Sequence, residues 1–249
     1  MRHVTFLDLD DTLFQTAHKC PVNEPVKAVA WKRDGEPIAY MTERQNSFLK
    51  QMEQLGDLVF VTARTTDSVS RVCLPEKTWR ITSFGAVIRD PFGVPLTDYN
   101  ERVGLELAHF GDLYCKLRTE LERYAIGLGV NVRIIEDNGL PVYVVAKHPG
   151  GKAEALDSLE RLARATVPPS LFVHRNGNNL ALVPRVAAKE CAVRYLIDYA
   201  FPKNQWTSMG VGDSLTDGPF LACCDWAVVP VGSQLALRMM SLYSEGEKS

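Results

Sequence analysis

The sequence predicts an α/β protein in which a parallel-sheet domain, made from both ends of the chain, carries an inserted α+β domain. Short apolar runs at 4–9, 58–61 and 206–211 alternate with segments of helical periodicity, the pattern of a buried parallel sheet with crossover helices. In the middle of the chain the order becomes helix, strand, strand, twice over, which does not continue a βαβ series. The expected division is therefore 1–89 with 185–249 for the sheet domain, and 90–184 for the insertion.

The first run, 4–9, reads as the opening strand. A β-hairpin is expected over 28–40, where Ala28 to Trp31 and Ile38 to Tyr40 flank the turn Asp34-Gly35. Thr42 with Gln45 forms a capping-box pattern, and Phe48, Leu49, Met52 and Leu55 recur at helical spacing until Gly56 ends the helix. Leu58 to Val61 is a second strand, 62–67 its loop, and Ser68 to Cys73 a brief helix before Pro75. A third core strand is expected over Ile81 to Ile88, interrupted at Gly85.

Val103, Leu107, Phe110, Leu113, Leu117, Leu121 and Tyr124 mark one face of a long helix, with Gly104 and Gly111 weakening its first half. Strands follow at Val130 to Glu136 and Pro141 to His148, across Asp137-Asn138-Gly139. A helix from Gly151 carries Leu156, Leu159, Leu162 and Ala163, and strands at Leu171 to Arg175 and Leu180 to Pro184 flank Asn176-Gly177-Asn178. The alternating order then resumes with a helix (Ala187 to Ala200), a strand (Trp206 to Val211), a helix near Pro219 to Cys223 and a strand (Trp226 to Val229). The last six residues, 244–249, are expected to fray.

Chemistry concentrates first at Asp8 and Asp10. A two-residue period sends both carboxylates to the same side at the carboxyl end of the opening strand. Taking such a pair out of water costs on the order of several kcal/mol unless a cation compensates, and a hard, oxygen-seeking ion such as Mg²⁺ suits the place. One carboxylate can then attack an electrophile while the other moves protons.

The bulk properties exclude other classes. A net charge of -2 and a pI near 6.2 provide no global field for nucleic acid or anionic lipid, so a small polar partner is expected, with neither nucleic acid nor membrane. Met1 leads straight into the first strand without a signal-like segment, and no 18-residue apolar run occurs. The six cysteines lack a CxxC spacing and read as reduced thiols, so a cytoplasmic location is expected.

Further segments return to the carboxyl edge of the sheet. Thr62 ends the second strand, Lys189 opens a helix, and Gly212-Asp213-Ser214-Leu215-Thr216-Asp217 follows the Trp206 to Val211 strand. Ligands of open α/β sheets bind at that edge where the strand order reverses, so Asp213 can share an ion with Asp8 and Asp10. In this order, Asp8-Leu9-Asp10-Asp11-Thr12, Thr62, Lys189 and the Gly212 to Asp217 segment resemble the motifs of the haloacid dehalogenase superfamily, over essentially the whole chain.

The resemblance implies a Rossmann-like core of strand order 3-2-1-4-5 with a C2-type cap of the Cof, sucrose-phosphatase and phosphomannomutase kind. It implies Asp8 as the nucleophile forming an aspartyl-phosphate and Asp10 as the acid/base. Thr62 and Lys189 would contact the phosphoryl group, and Mg²⁺ would be held by Asp8, the Asp10 carbonyl, Asp213 and, directly or through water, Asp217. Arg64 and the cap residue Arg175 are candidates for substrate contact. Relatives of this kind more often have Gly where this chain has Asp11, and an Asn-Gly-Ala style of segment where it has Ser83 to Ala86.

The function so implied is hydrolysis of a small phosphorylated metabolite, with sugar or glycosyl phosphates favoured. A phosphomutase is the nearest alternative. A phospho-receiver module also combines acids, Thr and Lys around Mg²⁺, but is about half this length and has no insertion between Thr and Lys. A catalytically silent binding protein is disfavoured because no motif residue is missing.

Overall fold

The structure, a computed structural model, describes residues 1–246. In chain order the elements are β1 (Arg2–Leu7), β2 (Val26–Trp31), β3 (Pro37–Thr42), α1 (Glu43–Leu55), β4 (Asp57–Val61), α2 (Thr66–Val69), β5 (Trp79–Thr82) and β6 (Val87–Arg89). Next come α3 (Thr97–Ala108), α4 (Gly111–Tyr124), β7 (Asn131–Asp137), β8 (Leu140–Lys147), α5 (Asp157–Thr166), β9 (Leu171–Asn176) and β10 (Asn179–Pro184). The chain ends with α6 (Lys189–Ala200), β11 (Trp206–Val211), α7 (Gly218–Leu221), β12 (Trp226–Val228) and α8 (Gln234–Gly246).

Two compact units result, residues 1–96 with 189–249, and residues 97–188. Residues 90–96 stay with the first because the turn after β6 is tied back to it: Asp90 N–H donates to the Val94 carbonyl and Leu96 N–H to that of Ile88. Residues 185–188 stay with the second, where Arg185 N–H donates to the Ser170 carbonyl.

The first unit is built on a six-stranded sheet of order β12-β11-β1-β4-β5-β6. All its pairings are parallel except β5 with β6. Numbered along the chain, the parallel strands run 3-2-1-4-5, the expected order, with the reversal between β1 and β11. The single third strand expected over Ile81 to Ile88 is instead an antiparallel pair, because Ser83 and Phe84 both take left-handed backbone angles, φ 50° and 65°, and turn the chain back.

The β2–β3 hairpin forms a separate two-stranded sheet and runs into α1 through the expected capping box. Thr42 Oγ1 accepts from Gln45 N–H, and Gln45 Oε1 accepts from Thr42 N–H. From the hairpin, Val29, Ala30, Ala39 and Met41 share one apolar core with Leu9, Leu13 and Phe14 of the loop after β1. That loop is thus clamped from below although it lies outside regular structure.

The second unit is a four-stranded antiparallel sheet, β7-β8-β10-β9. One sheet face, with Val144, Ala146, Leu180 and Leu182, packs on Tyr114, Leu117 and Leu121 of α4 and Leu159 and Ala163 of α5. The long helix expected from residue 103 to 124 is broken into α3 and α4 around His109 and Phe110, ahead of Gly111.

Other differences are local. The brief helix expected at Ser68 starts earlier, because the Thr65 hydroxyl accepts from Ser68 N–H and caps α2. The fraying expected for 244–249 falls partly within α8 and, for 247–249, lies outside the described residues. No helix among the described residues is long and apolar enough to cross a membrane. All six cysteines are free.

Leu13 is fully buried in the core that supports the loop after β1. Leu13→Ala should lower unfolding stability by about 2–5 kcal/mol in urea titration, as for other buried Leu to Ala changes. A loss below about 1 kcal/mol would show that the loop does not depend on this core.

Candidate active site

Parallel pairing brings the carboxyl ends of β4, β1 and β11 to one edge of the sheet. Thr62, Asp8 and the Gly212-Asp213 segment follow those strands immediately, and Lys189 is the first residue of α6. β1 ends at Leu7, so Asp8 and Asp10 lie in the following loop and their carboxylates do not share an alternating strand face. Asp8 N–H still donates to the Val211 carbonyl, at 2.9 Å, which fixes it against β11. Asp11 takes φ 63°, a left-handed conformation that explains why glycine suits the position, and its carboxylate pairs with Lys19 at 2.6 Å.

The three carboxylates brought together are those of Asp8, Asp213 and Asp217, all buried, with oxygens within 4.8 Å of one another. Lys189 Nζ donates to Asp8 Oδ1 at 2.6 Å and to Asp217 Oδ1 at 2.7 Å. Thr12 Oγ1 lies 3.1 Å from Asp8 Oδ2 and 3.2 Å from Asp213 Oδ1, so one hydroxyl links the two acids. Asp217 Oδ2 accepts from Asp213 N–H, Ser214 N–H and the Ser214 hydroxyl at 3.2, 2.9 and 2.7 Å.

Asp217 therefore acts as the anchor of the β11 loop. Gly212 is needed for this: a Cβ there would stand 2.7 Å from the Asp217 Cβ and 3.0 Å from its Cγ. Any side chain at 212 would push Asp217 off the loop amides.

Asp10 is placed differently. Its carboxylate is gripped at both oxygens by Arg64, Nε to Oδ2 and Nη2 to Oδ1, each at 2.7 Å. The guanidinium also stacks over the Phe14 ring, 5.1 Å from its centroid. Arg64, expected to touch substrate, is in this arrangement the partner of Asp10.

The loop that carries Arg64 is held by the β5–β6 turn, where Phe84 N–H donates to the Thr62 carbonyl and Ser83 N–H to the Arg64 carbonyl. Thr62 is buried and its hydroxyl accepts from Arg64 N–H at 3.1 Å.

The charges do not balance. Burial, the largest effect, pushes the Asp8 carboxyl well above the usual carboxylate range; Lys189 opposes it, and Asp217 and Asp213 add to it. Burial with Asp217 and Asp11 pushes Asp213 up to about 6. Burial also resists ionisation of Asp217, but Lys189 and Ser214 outweigh it and hold that carboxyl below its ordinary value. Burial disfavours the Lys189 ammonium too, yet Asp217 and Asp8 prevail and keep it above the ordinary lysine value.

Three buried carboxylates thus face one buried ammonium, and a divalent, oxygen-preferring cation is the charge that would let all of them ionise. Asp8 accepts one hydrogen bond at each oxygen, whereas Asp217 already accepts from Lys189 at Oδ1 and from three donors at Oδ2, so Asp217 has the least capacity left for an ion.

Arg175 lies in the second unit. Its Nη2 donates to the Ala153 carbonyl at 2.6 Å, and the guanidinium pairs with Asp157 and Glu160, each at 3.3 Å. Two residues without an assigned part in the sequence reading, Thr12 and Ser214, turn out to organise the acids. Both lie inside motif segments, next to Asp residues, which is the signal that could have singled them out.

The unbalanced charge has a consequence for stability. Asp213 holds its proton more tightly folded than unfolded, so its contribution to stability falls as pH rises from about 4 through about 6. In protein freed of divalent ions by a chelator, Asp213→Asn should reduce that decline in the urea midpoint. An equally steep decline in the variant would remove Asp213 as its source.

No family model matches the chain, and no curated protein matches it in sequence. Solved structures do. The C-terminal domain of a trehalose-6-phosphate phosphatase from C. albicans aligns with a TM-score of 0.59 at 15% identity, covering 100% of this chain and 78% of that one. A haloacid dehalogenase-like hydrolase from B. subtilis aligns with a TM-score of 0.55 at 18% identity, covering 96% and 93%. A Thermoplasma acidophilum protein aligns with a TM-score of 0.53 at 13% identity, covering 99% of each. The fold is the one these solved structures share.

Proposed function

We propose that the protein is a Mg²⁺-dependent phosphatase acting on a small phosphorylated metabolite, with sugar or glycosyl phosphates favoured. The observation that carries the reading is Asp8: a buried carboxylate fixed at one oxygen by Lys189 and at the other by Thr12, beside two further buried acids. Orientation by Lys189 and Thr12 presents Asp8 as a nucleophile rather than as a solvated surface acid. The phosphatase named among the similar folds points to the same chemistry.

In the reaction as proposed, an Asp8 oxygen attacks phosphorus and the bond to the substrate alcohol oxygen breaks. Asp10, carrying a proton and with one arm of the Arg64 fork opened, donates it to the leaving oxygen. A water molecule then gives its proton to Asp10 and attacks the aspartyl-phosphate, which releases inorganic phosphate and restores the Asp8 carboxylate.

Lys189 lends its positive charge to the phosphoryl oxygens throughout, and the Thr62 hydroxyl hydrogen-bonds one of them. Mg²⁺, when held by Asp8, the Asp10 carbonyl and Asp213, supplies further neutralisation of phosphoryl charge. Arg64 is a positioning residue in this scheme: its fork closes again on the Asp10 carboxylate once the proton has gone to the leaving oxygen, and orients it for the second half. Residues 97–188 serve as the cap that selects substrate, and Arg175, tied to Asp157 and Glu160, braces that unit.

Phosphate release from a panel of sugar phosphates, nucleotides and an aryl phosphate, with and without Mg²⁺, tests the reading. Metal-dependent release that falls by at least about a thousandfold in Asp8→Asn is expected. Transfer of phosphate between positions of a sugar without release to water would replace the phosphatase by a phosphomutase.

A further inference from the structure

The capping box of α1 reaches beyond the helix it starts. Gln45 is half-buried, and its side-chain amide has partners at both ends. Its Oε1 accepts from Thr42 N–H at 3.0 Å and lies 3.1 Å from the Thr42 hydroxyl. Its Nε2 donates to the Thr12 carbonyl at 3.3 Å and to Gln15 Oε1 at 2.7 Å. The amide cannot be turned over, because the Thr42 N–H only donates and the Thr12 carbonyl only accepts.

Capping uses the oxygen alone. A glutamate at position 45 would complete the box equally well, whereas the Thr12 carbonyl needs a donor. The choice of glutamine is therefore explained by the loop after β1 and not by the helix.

That loop is fixed to the sheets at two points. Asp8 N–H donates to the Val211 carbonyl, and Gln15 exchanges two backbone hydrogen bonds with Tyr40, at 3.0 and 2.7 Å. Between these points the chain turns on itself: Leu13 and Phe14 N–H both reach the Leu9 carbonyl, and Asp11 is left-handed. Thr12 stands within this turn, and Gln45, 33 positions along the chain, ties it to the start of α1.

The hydroxyl of the same threonine lies 3.1 Å from Asp8 Oδ2 and 3.2 Å from Asp213 Oδ1. Thr12 is buried and branched at Cβ, so its side chain has few rotamers, and a shift of its backbone carries the hydroxyl with it.

We propose that Gln45 is a positioning residue: by holding the Thr12 carbonyl it keeps the Thr12 hydroxyl between Asp8 and Asp213, and so sets the direction from which Asp8 attacks. Its effect on rate rests on the phosphatase reading, and its hold on Thr12 does not.

The test compares Gln45→Met, Gln45→Glu and Thr42→Ala in the full-length protein. Gln45→Met is neutral and loses both cap and donor, Gln45→Glu keeps the cap and loses the donor, and Thr42→Ala weakens the cap and keeps the donor. The urea midpoint should fall in Gln45→Met and Thr42→Ala and stay near wild type in Gln45→Glu. For an aryl phosphate and for the best sugar phosphate alike, kcat should fall by at least about tenfold in both Gln45 variants, with KM within about threefold. In Thr42→Ala, kcat should stay within about twofold of wild type. Crystal structures give the second readout: the Thr12 hydroxyl should leave hydrogen-bond reach of Asp8 in both Gln45 variants and keep its place in Thr42→Ala.

A loss of kcat that follows the urea midpoint would make Gln45 a helix cap only and overturn the proposal. A loss confined to Gln45→Glu, the mark of the added charge, would overturn it too, as would a Thr12 hydroxyl left in place in the Gln45 variants. If the wild-type protein releases phosphate from no ester, the phosphatase reading fails, and the position of Thr12 in the three variants decides what Gln45 does.

Discussion

The buried Lys189 ammonium, held between Asp8 and Asp217, is the interaction on which the rest of the site depends. It lies 2.6 and 2.7 Å from two carboxylates that are themselves out of water, where an unpaired charge costs several kcal/mol on an order-of-magnitude scale. Removing the ammonium would strand both acids, and removing either acid would leave it half-paired. The topology makes the bridge possible: β1 and β11 are neighbours at the point where strand order reverses, so the loops after them meet at one edge. The acid excess around Lys189 is a cost to folding and an invitation to a divalent ion.

Backbone conformation supplies what side chains alone could not. Gly212 lets Asp217 sit on the β11 loop, and the left-handed turn at Ser83 and Phe84 lends two amides to the loop bearing Thr62 and Arg64. In the loop after β1, Leu9, Leu13 and Phe14 are held out of water by the apolar core shared with the β2–β3 hairpin. Phe14 in turn carries the Arg64 guanidinium on its face. Strain and packing thus converge on the few residues that set Asp8 and Asp10.

Much of this was legible from the chain. Apolar runs leading into Asp8, Thr62 and the Gly212 to Asp217 segment marked the carboxyl edge of a parallel sheet, while its strand order was implied by the family resemblance and not by the runs themselves. The Thr42 and Gln45 box and the Asp34-Gly35 turn were read correctly because capping and tight turns are local chemistry. The β5–β6 turn was not, since nothing in Ser83-Phe84 signals two left-handed residues; the turn is sustained by the Thr62 and Arg64 carbonyls, far away in sequence. The break between α3 and α4 was masked by an apolar stripe that carries on across it. The Arg64 grip on Asp10 joins residues 54 positions apart, and α8 was not foreseen. Motif spacing could bring Asp8, Asp213 and Asp217 to one place but could not reveal that the Asp10 carboxylate would be claimed by an arginine.

The central claim is that Asp8 becomes covalently phosphorylated. The direct measurement is rapid acid quenching during Mg²⁺-supported turnover of the best substrate, followed by mass spectrometry of the peptides. A phosphoryl group on the peptide containing Asp8, absent from Asp8→Asn, is the predicted result. Turnover with no phosphorylated peptide, or with the label on a residue other than Asp8, would contradict the account.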